Sequence, residues 1–142
     1  LMAQNRMTEA LTHFRRAALQ APKDERVFYN LGNLLDKLNK PGEAVASYER
    51  ALSINPEFTD AHVNLGSLLF SRGRVRDALP HFQRAVELEP GSPMLLNNLA
   101  GGLAASGRFP EAMQYVRRAL AIDPGYQPAL DNLRRLQAMG IR

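Results

Sequence analysis

The feature that most constrains this chain is a short stretch that returns every 34 residues: Asn30-Leu31-Gly32, Asn64-Leu65-Gly66, Asn98-Leu99-Ala100 and Asn132-Leu133-Arg134. Pro22, Pro56, Pro90 and Pro124 keep the same interval, and so do Ala17, Ala51, Ala85 and Ala119, and Ala10, Ala44, Ala78 and Ala112. A fixed period of this length means that one supersecondary unit is used repeatedly. Such a unit cannot cover its apolar face alone and does so by stacking on its neighbours.

Inside one unit the apolar spacing is helical. Phe28, Leu31, Gly32 and Leu35 stand at i, i+3, i+4 and i+7, which places them on one helical face. Asn39 follows, with Gly73 and Gly107 at the equivalent positions, and Asn or Gly suits the left-handed residue that ends a helix. Pro41 and Glu43 then suit the first turn of a second helix, where a missing N–H is harmless and a negative charge meets the positive helix end. That helix carries Ala44, Tyr48, Ala51 and Leu52 on its inward stripe, and Pro56 stops it while restricting Asn55. The unit is an antiparallel helix hairpin.

The pattern Phe28-x2-Leu31-Gly32-x2-Leu35, Ala44-x3-Tyr48 and Pro56 resembles the tetratricopeptide repeat. It recurs as His62, Leu65, Gly66, Leu69, Ala78, Phe82, Ala85 and Pro90, and again as Leu96, Leu99, Ala100, Leu103, Ala112, Val116, Ala119 and Pro124. The resemblance implies an all-α fold, a right-handed α-solenoid of stacked antiparallel hairpins. The expected division is a partial repeat over 1–22 that holds the end of a first helix and a complete second helix (Ala10, Phe14 and Ala17), whole repeats over 23–56, 57–90 and 91–124, and a capping helix over 125–142, all within one domain of residues 1–142. Gly32, Gly66 and Ala100 are small where helices cross, so leucine at Gly66 is expected to overpack at about 1–3 kcal/mol. Pro80 falls inside a second helix and is expected to bend it. Arg134 and Gln137 replace a small and an apolar residue in the last helix, which suits the polar outer face of a solenoid end. The sequence enters a repeat partway, which points to a longer parent protein. It also leaves apolar residues near Leu11 and Phe14 as an open end through which copies could associate as a homo-oligomer.

Composition narrows the function. Cysteine is absent, which removes disulfides, thiolate nucleophiles and zinc–thiolate sites and fits a reducing compartment such as the cytoplasm, though a periplasm is also compatible. No apolar run approaches the roughly 18 residues of a membrane span. The net charge of +4 and isoelectric point near 9.8 would suit nucleic acid. The arginines are dispersed, however, with Arg16, Arg50, Arg84 and Arg118 at one repeated position, and only Arg72, Arg74 and Arg76 cluster, which argues against that partner. Catalysis finds no constellation. His13, His62 and His81 are separated by whole repeats, Glu9, Glu43, Asp77 and Glu111 sit at helix starts, and Gly101-Gly102 lacks the strand that precedes a phosphate loop. No catalytic residue, metal ligand or cofactor is expected.

A binding surface is better supported. Arg26, Asn30, Asn33 and Lys37 lie opposite the core stripe of the first whole repeat. Asparagine is a poor helix former, yet this outward slot keeps it in all four units while neighbouring slots change (Arg26, Asp60, Met94 and Pro128; Asn33, Ser67, Gly101 and Arg135). A primary amide can meet both the C=O and the N–H of an extended peptide. The tetratricopeptide resemblance implies that first helices line a concave surface where ligands lie. The row is similar to the asparagine ladder in the superhelix of O-linked N-acetylglucosamine transferases, which holds substrate polypeptides. By that resemblance Asn30, Asn64, Asn98 and Asn132 are peptide contacts. Asn33 and Lys37 flank them, Tyr29, Val63, Phe70 and Met94 add apolar contact, and Gly101, Ala104 and Ala105 leave room for a bulky side chain. Tyr29 and Met94 occupy places where a two-carboxylate clamp needs positive charge, which argues against an acidic C-terminal tail as ligand. The expected function is a protein–protein interaction scaffold that binds an extended peptide or partner helix in its groove. The alternatives are a substrate-recruiting arm of a larger enzyme such as a glycosyltransferase, and a self-assembling structural module.

Overall fold

The computed structural model describes residues 2–142, with side chains from Arg6 onward. Leu1, where the sequence enters a repeat partway, lies outside the described residues. The described chain forms eight helices: α1 (Met2–Gln20), α2 (Glu25–Lys37), α3 (Pro41–Ile54), α4 (Thr59–Ser71), α5 (Val75–Leu88), α6 (Pro93–Ala105), α7 (Phe109–Ile122) and α8 (Gln127–Ala138). Two compact units divide at Leu68 and Leu69. In the first, α1 packs on α2 and α2 on α3; in the second, α5 packs on α6, α6 on α7, and α7 on α8.

Each hairpin is built by the same local chemistry. Asn39 takes a φ of 54°, and Gly73, Gly107 and Gly140 take 76°, 78° and 79°. At each of these turns the following N–H donates back to a carbonyl five residues earlier: Lys40 to Leu35, Arg74 to Leu69, Arg108 to Leu103 and Ile141 to Leu136, at 2.9–3.0 Å. This closes the helix end and satisfies a carbonyl that would otherwise be orphaned. The next helix then opens on Lys40, Arg74 or Arg108, none of which caps with its side chain. A basic residue is unfavourable at the positive end of a helix, and an acid three residues on compensates. Lys40–Glu43 (3.0 Å), Arg74–Asp77 (2.7 Å) and Arg108–Glu111 (2.6 Å) form the same ion pair in successive hairpins.

Small residues set the helix crossings. A Cβ on Gly32 would stand 2.7 Å from two ring carbons of Tyr48, and one on Gly102 would stand 3.0 Å from Leu79 and 3.3 Å from Phe82. Ala44, Tyr48 and Ala51 are buried, as are Ala78, Phe82 and Ala85, and Ala112, Val116 and Ala119. Leu52, expected on the same stripe, is only half-buried. The repeated arginines serve the scaffold. Arg50 donates to the Pro22 carbonyl at 3.1 Å and stacks over Phe28, Arg118 stacks over Tyr115, and Arg84 pairs with Glu87.

Two places differ from the sequence-based expectation. Residues 2–20 form one helix rather than the end of one and the whole of another. Met2, Ala3, Gln4 and Arg6 are good helix formers, so local propensity carries the helix through Asn5, the counterpart of Asn39. Leu11 is not left open but is buried at 7% exposure, because α1 lies against α2; Phe14 is half-buried. The helix α5 spans Val75–Leu88 with Pro80 inside it. Pro80 is exposed. In α8, Ala129 and Leu136 are buried while Arg134, Arg135 and Gln137 are exposed.

Candidate functional site

The asparagine slot on the leading helices is the natural place to look for a ligand surface, and its four copies sit in different surroundings. Asn30 is exposed, whereas Asn64, Asn98 and Asn132 are half-buried. Asn64 donates through Nδ2 to the Tyr29 hydroxyl at 3.1 Å and to Oδ1 of Asn33 at 2.8 Å. Asn132 donates through Nδ2 to Oδ1 of Asn97 at 2.8 Å. Tyr29, Asn33 and Asn97 all lie back along the chain on an earlier leading helix, so at Asn64 and Asn132 the amide is a lateral strut between hairpins as well as an outward group. A neutral hydrogen bond of this kind contributes about 0.5–1.5 kcal/mol. That is a structural reason for the residue to recur, additional to any ligand.

In the first unit the strut belongs to a network. Tyr48 of α3 is buried, and its hydroxyl donates to Oδ1 of Asn33 at 2.7 Å. Burial, with smaller contributions from Asp36 and Tyr29 and against a hydrogen bond from Asn64, pushes the Tyr48 phenol up to about 12, so it remains protonated and a donor across the physiological range. Oδ1 of Asn33 therefore receives two donors, one from Tyr48 and one from Asn64. The Tyr29 ring packs against Phe58, with centroids 4.9 Å apart, and against Tyr48 at 6.1 Å. Tyr29 is thus held by apolar packing on one side and by the Asn64 amide at its tip, rather than offering a bare apolar face. Asn97 was not anticipated as a partner; it is buried at 8% exposure.

The remaining expected contacts fall into two groups. Lys37 is exposed one turn after Asn33. Phe70 and Met94 are among the exposed large apolar side chains, at 38% and 47%, with Phe70 edge-on to Phe82 at 6.3 Å. A Cβ on Gly101 would meet nothing within 4 Å, so the space expected beside it is present.

Other chemistries have less support. His62 is buried in its apolar slot with Nε2 2.9 Å from the Pro56 carbonyl. Among the described residues no group of three or more His, Asp or Glu side chains could hold a metal ion. No helix among them is long and apolar enough to cross a membrane. In the arginine cluster Arg74 is paired with Asp77, and the turn borders a depression of about 540 Å³ lined by both ends of that pair and by Ser106.

Comparison with known proteins agrees with the hairpin geometry. The sequence matches the family model described as tetratricopeptide repeat over residues 1–57, 29–93 and 63–126. No curated protein sequence matches it. Among solved structures, MamA is similar over 99% of this chain and 83% of its own, with a TM-score of 0.88 and 18% identity. A MamA fragment from Desulfovibrio magneticus RS-1 is similar over 98% and 78%, with a TM-score of 0.88 and 19% identity. YrrB, described as "a TPR protein with an unusual peptide-binding site", is similar over 92% of this chain and 67% of its own, with a TM-score of 0.78 and 27% identity. These likenesses fix the fold class as the all-α solenoid of stacked helix hairpins.

Proposed function

Because this chain belongs to the tetratricopeptide repeat family, we propose that it is a protein-interaction scaffold that receives an extended peptide along the polar faces of its leading helices. The observation that carries this reading is the row on α2 and α4. Tyr29, Asn33 and Asn64 present neutral hydrogen-bonding groups fixed by a lateral network, with Asn30 and Lys37 exposed beside them. Neutral donors and acceptors at regular spacing suit a peptide main chain, which alternates C=O and N–H whatever its sequence. The likeness to YrrB, a protein described by its peptide-binding site, supports the same reading.

In this proposal Asn98 and Asn132 offer the same kind of contact on α6 and α8, within the second unit. Phe70 and Met94 supply apolar contact, and the space over Gly101 admits a large side chain. The wild-type chain is expected to select peptides from a displayed library of random unstructured sequences, with Kd near micromolar, about −8 kcal/mol. Combining Asn30→Ala with Lys37→Ala removes one amide and one charged contact from exposed positions of the first unit. Affinity should fall about tenfold or more while the melting temperature stays. Failure of the wild-type chain to select any peptide defeats the proposal, and so does unchanged affinity in the double variant.

A further inference from the structure

Charge is divided between the two compact units in a way the repeat does not require. The first unit, residues 1–68, carries eight basic and eight acidic residues. The second, residues 69–142, carries ten arginines, no lysine and six acids, so the whole net charge of +4 falls there. Within that unit the charge is sorted again by edge. The helices of a hairpin run antiparallel, so the turns inside hairpins share one edge and the links between hairpins share the other. Arg72, Arg74, Arg76, Arg108 and Arg142 stand at or beside the turns, against Asp77 and Glu111. Glu87, Glu89 and Asp123 stand at the links, and no base occurs over 85–107 or 119–133.

The arginine edge is also indented. Between the α4–α5 turn and the end of α6 lies the depression of about 540 Å³, bordered by Arg74, Val75, Arg76 and Asp77 on one side and by Ala105 and Ser106 on the other. Its charge is unbalanced. Asp77 engages Arg74 through Nε at 2.7 Å, which occupies one of the five donors of that guanidinium. Arg76 is exposed and has no acidic partner among the described residues. Ser106 donates its proton to the Gly102 carbonyl at 2.9 Å, so attraction in the cleft comes from the arginines. With Arg72 beside Gly73, the turn holds three positive charges to one negative. Like charges crowded on one turn repel, and an anion seated among them relieves that repulsion.

We infer that the arginine edge of the second unit docks an acidic segment of a partner protein, with one oxyanion side chain of that segment, a carboxylate or a phosphate, seated in the cleft beside Arg74 and Arg76. Arginine suits this better than lysine, because its planar fork meets two oxygens of a carboxylate or phosphate at once. Every base of the unit is an arginine. The border of the cleft offers no aromatic ring on which a base could stack, which favours a protein segment over nucleic acid. The site is separate from the peptide surface proposed above. It lies on the turns rather than on the asparagine faces, and it reads side-chain charge rather than main chain.

Short labelled peptides titrated by fluorescence anisotropy at physiological ionic strength test this. One alternates glutamate and glycine, one carries phosphoserine in place of its central glutamate, and one has glutamine throughout. The chain is expected to bind both acidic peptides and not the glutamine one, and the tighter of the two identifies the group the cleft takes. Arg72→Gln combined with Arg76→Gln should raise Kd about tenfold. Arg117→Gln combined with Arg135→Gln removes the same charge from exposed positions elsewhere in the unit. It should change Kd less than about twofold, because charges beyond a Debye length of about 8 Å are largely screened. Ala105→Tyr narrows the cleft without altering charge and should weaken binding severalfold while the melting temperature stays. Equal losses in the two double variants, unchanged affinity in Ala105→Tyr, or no binding of either acidic peptide overturns the docking edge. So does a single-stranded oligonucleotide of equal charge that binds as tightly as the peptides. Each of these results leaves the asparagine surface standing, since that surface is tested by its own variants in the first unit.

Discussion

At the residue scale, two glycines on leading helices show how one residue type serves opposite ends. At Gly32 the Tyr48 ring occupies the space a side chain would need, whereas at Gly101 that space is empty. Gly32→Ala should therefore destabilise by about 1–3 kcal/mol through overpacking against a rigid ring. Gly101→Ala should stabilise by about 1 kcal/mol, because it gains helix propensity and meets no neighbour. Chemical denaturation midpoints of the two variants check both signs, and a Gly101→Ala variant that loses stability contradicts the open space. The Gly32 constraint was legible in the sequence, since the small residue recurs between leucines at a helical crossing. The commitment of Asn64 was not. Its partners lie 31 and 35 residues back, and only the packing of successive hairpins brings them together. A signal existed nonetheless. The partner stands one residue beyond the period, at Tyr29 for Asn64 and at Asn97 for Asn132, and a polar residue at that offset marks the strut.

At the element scale, the second helices begin under a conflict that the chain resolves three times in the same way. Lys40, Arg74 and Arg108 occupy starts where positive charge is disfavoured, and Glu43, Asp77 and Glu111 answer them. Hydrogen bonds from Lys40 and then Arg15 hold the Glu43 carboxyl below its ordinary value of 4.5, and that from Arg108 lowers Glu111 likewise. A carboxyl lowered in the folded state binds fewer protons there than in the unfolded chain. Its contribution is complete above the ordinary value and disappears as pH falls through the lowered folded one. Denaturant midpoints should drop on going from about pH 5 to about pH 3, and the double variant Glu43→Gln, Glu111→Gln should show a shallower drop. An equally steep drop in the variant assigns the acid sensitivity elsewhere. The sequence announced the acids at helix starts but not the ion pairs, because the basic partner sits outside the helix it opens. It also announced a break between two helices within residues 1–22, where residues 2–20 form one helix. A turn residue permits a turn, and packing of two helices has to make it favourable.

At the scale of the whole molecule, the period carried the fold class almost entirely. Every hairpin is specified by spacing within some thirty residues, and the same spacing is written three times. The function was less legible, because it depends on which outward atoms remain unfilled after neighbouring hairpins have satisfied one another. The net charge of +4 suggests electrostatic partners, yet the proposed contact groups on α2, α4, α6 and α8 are mostly uncharged. Affinity for a selected peptide should therefore change less than about threefold between low and physiological ionic strength, where interactions between exposed charges would be strongly screened. Isothermal titration across a salt series measures this, and a steep dependence would transfer the interaction from the amides to the arginines.

The repeated joint of left-handed stop and charged bracket has a consequence for the history of such a chain. Each block brings its own instructions for ending one rod and beginning the next, and draws none of them from a remote part of the gene. Unequal recombination that drops or adds one block in register would leave the surviving joints with the neighbours they already had. A lineage can then inherit longer or shorter versions in whole steps, with new outward atoms to be tried on each added rung and no joint to be reinvented.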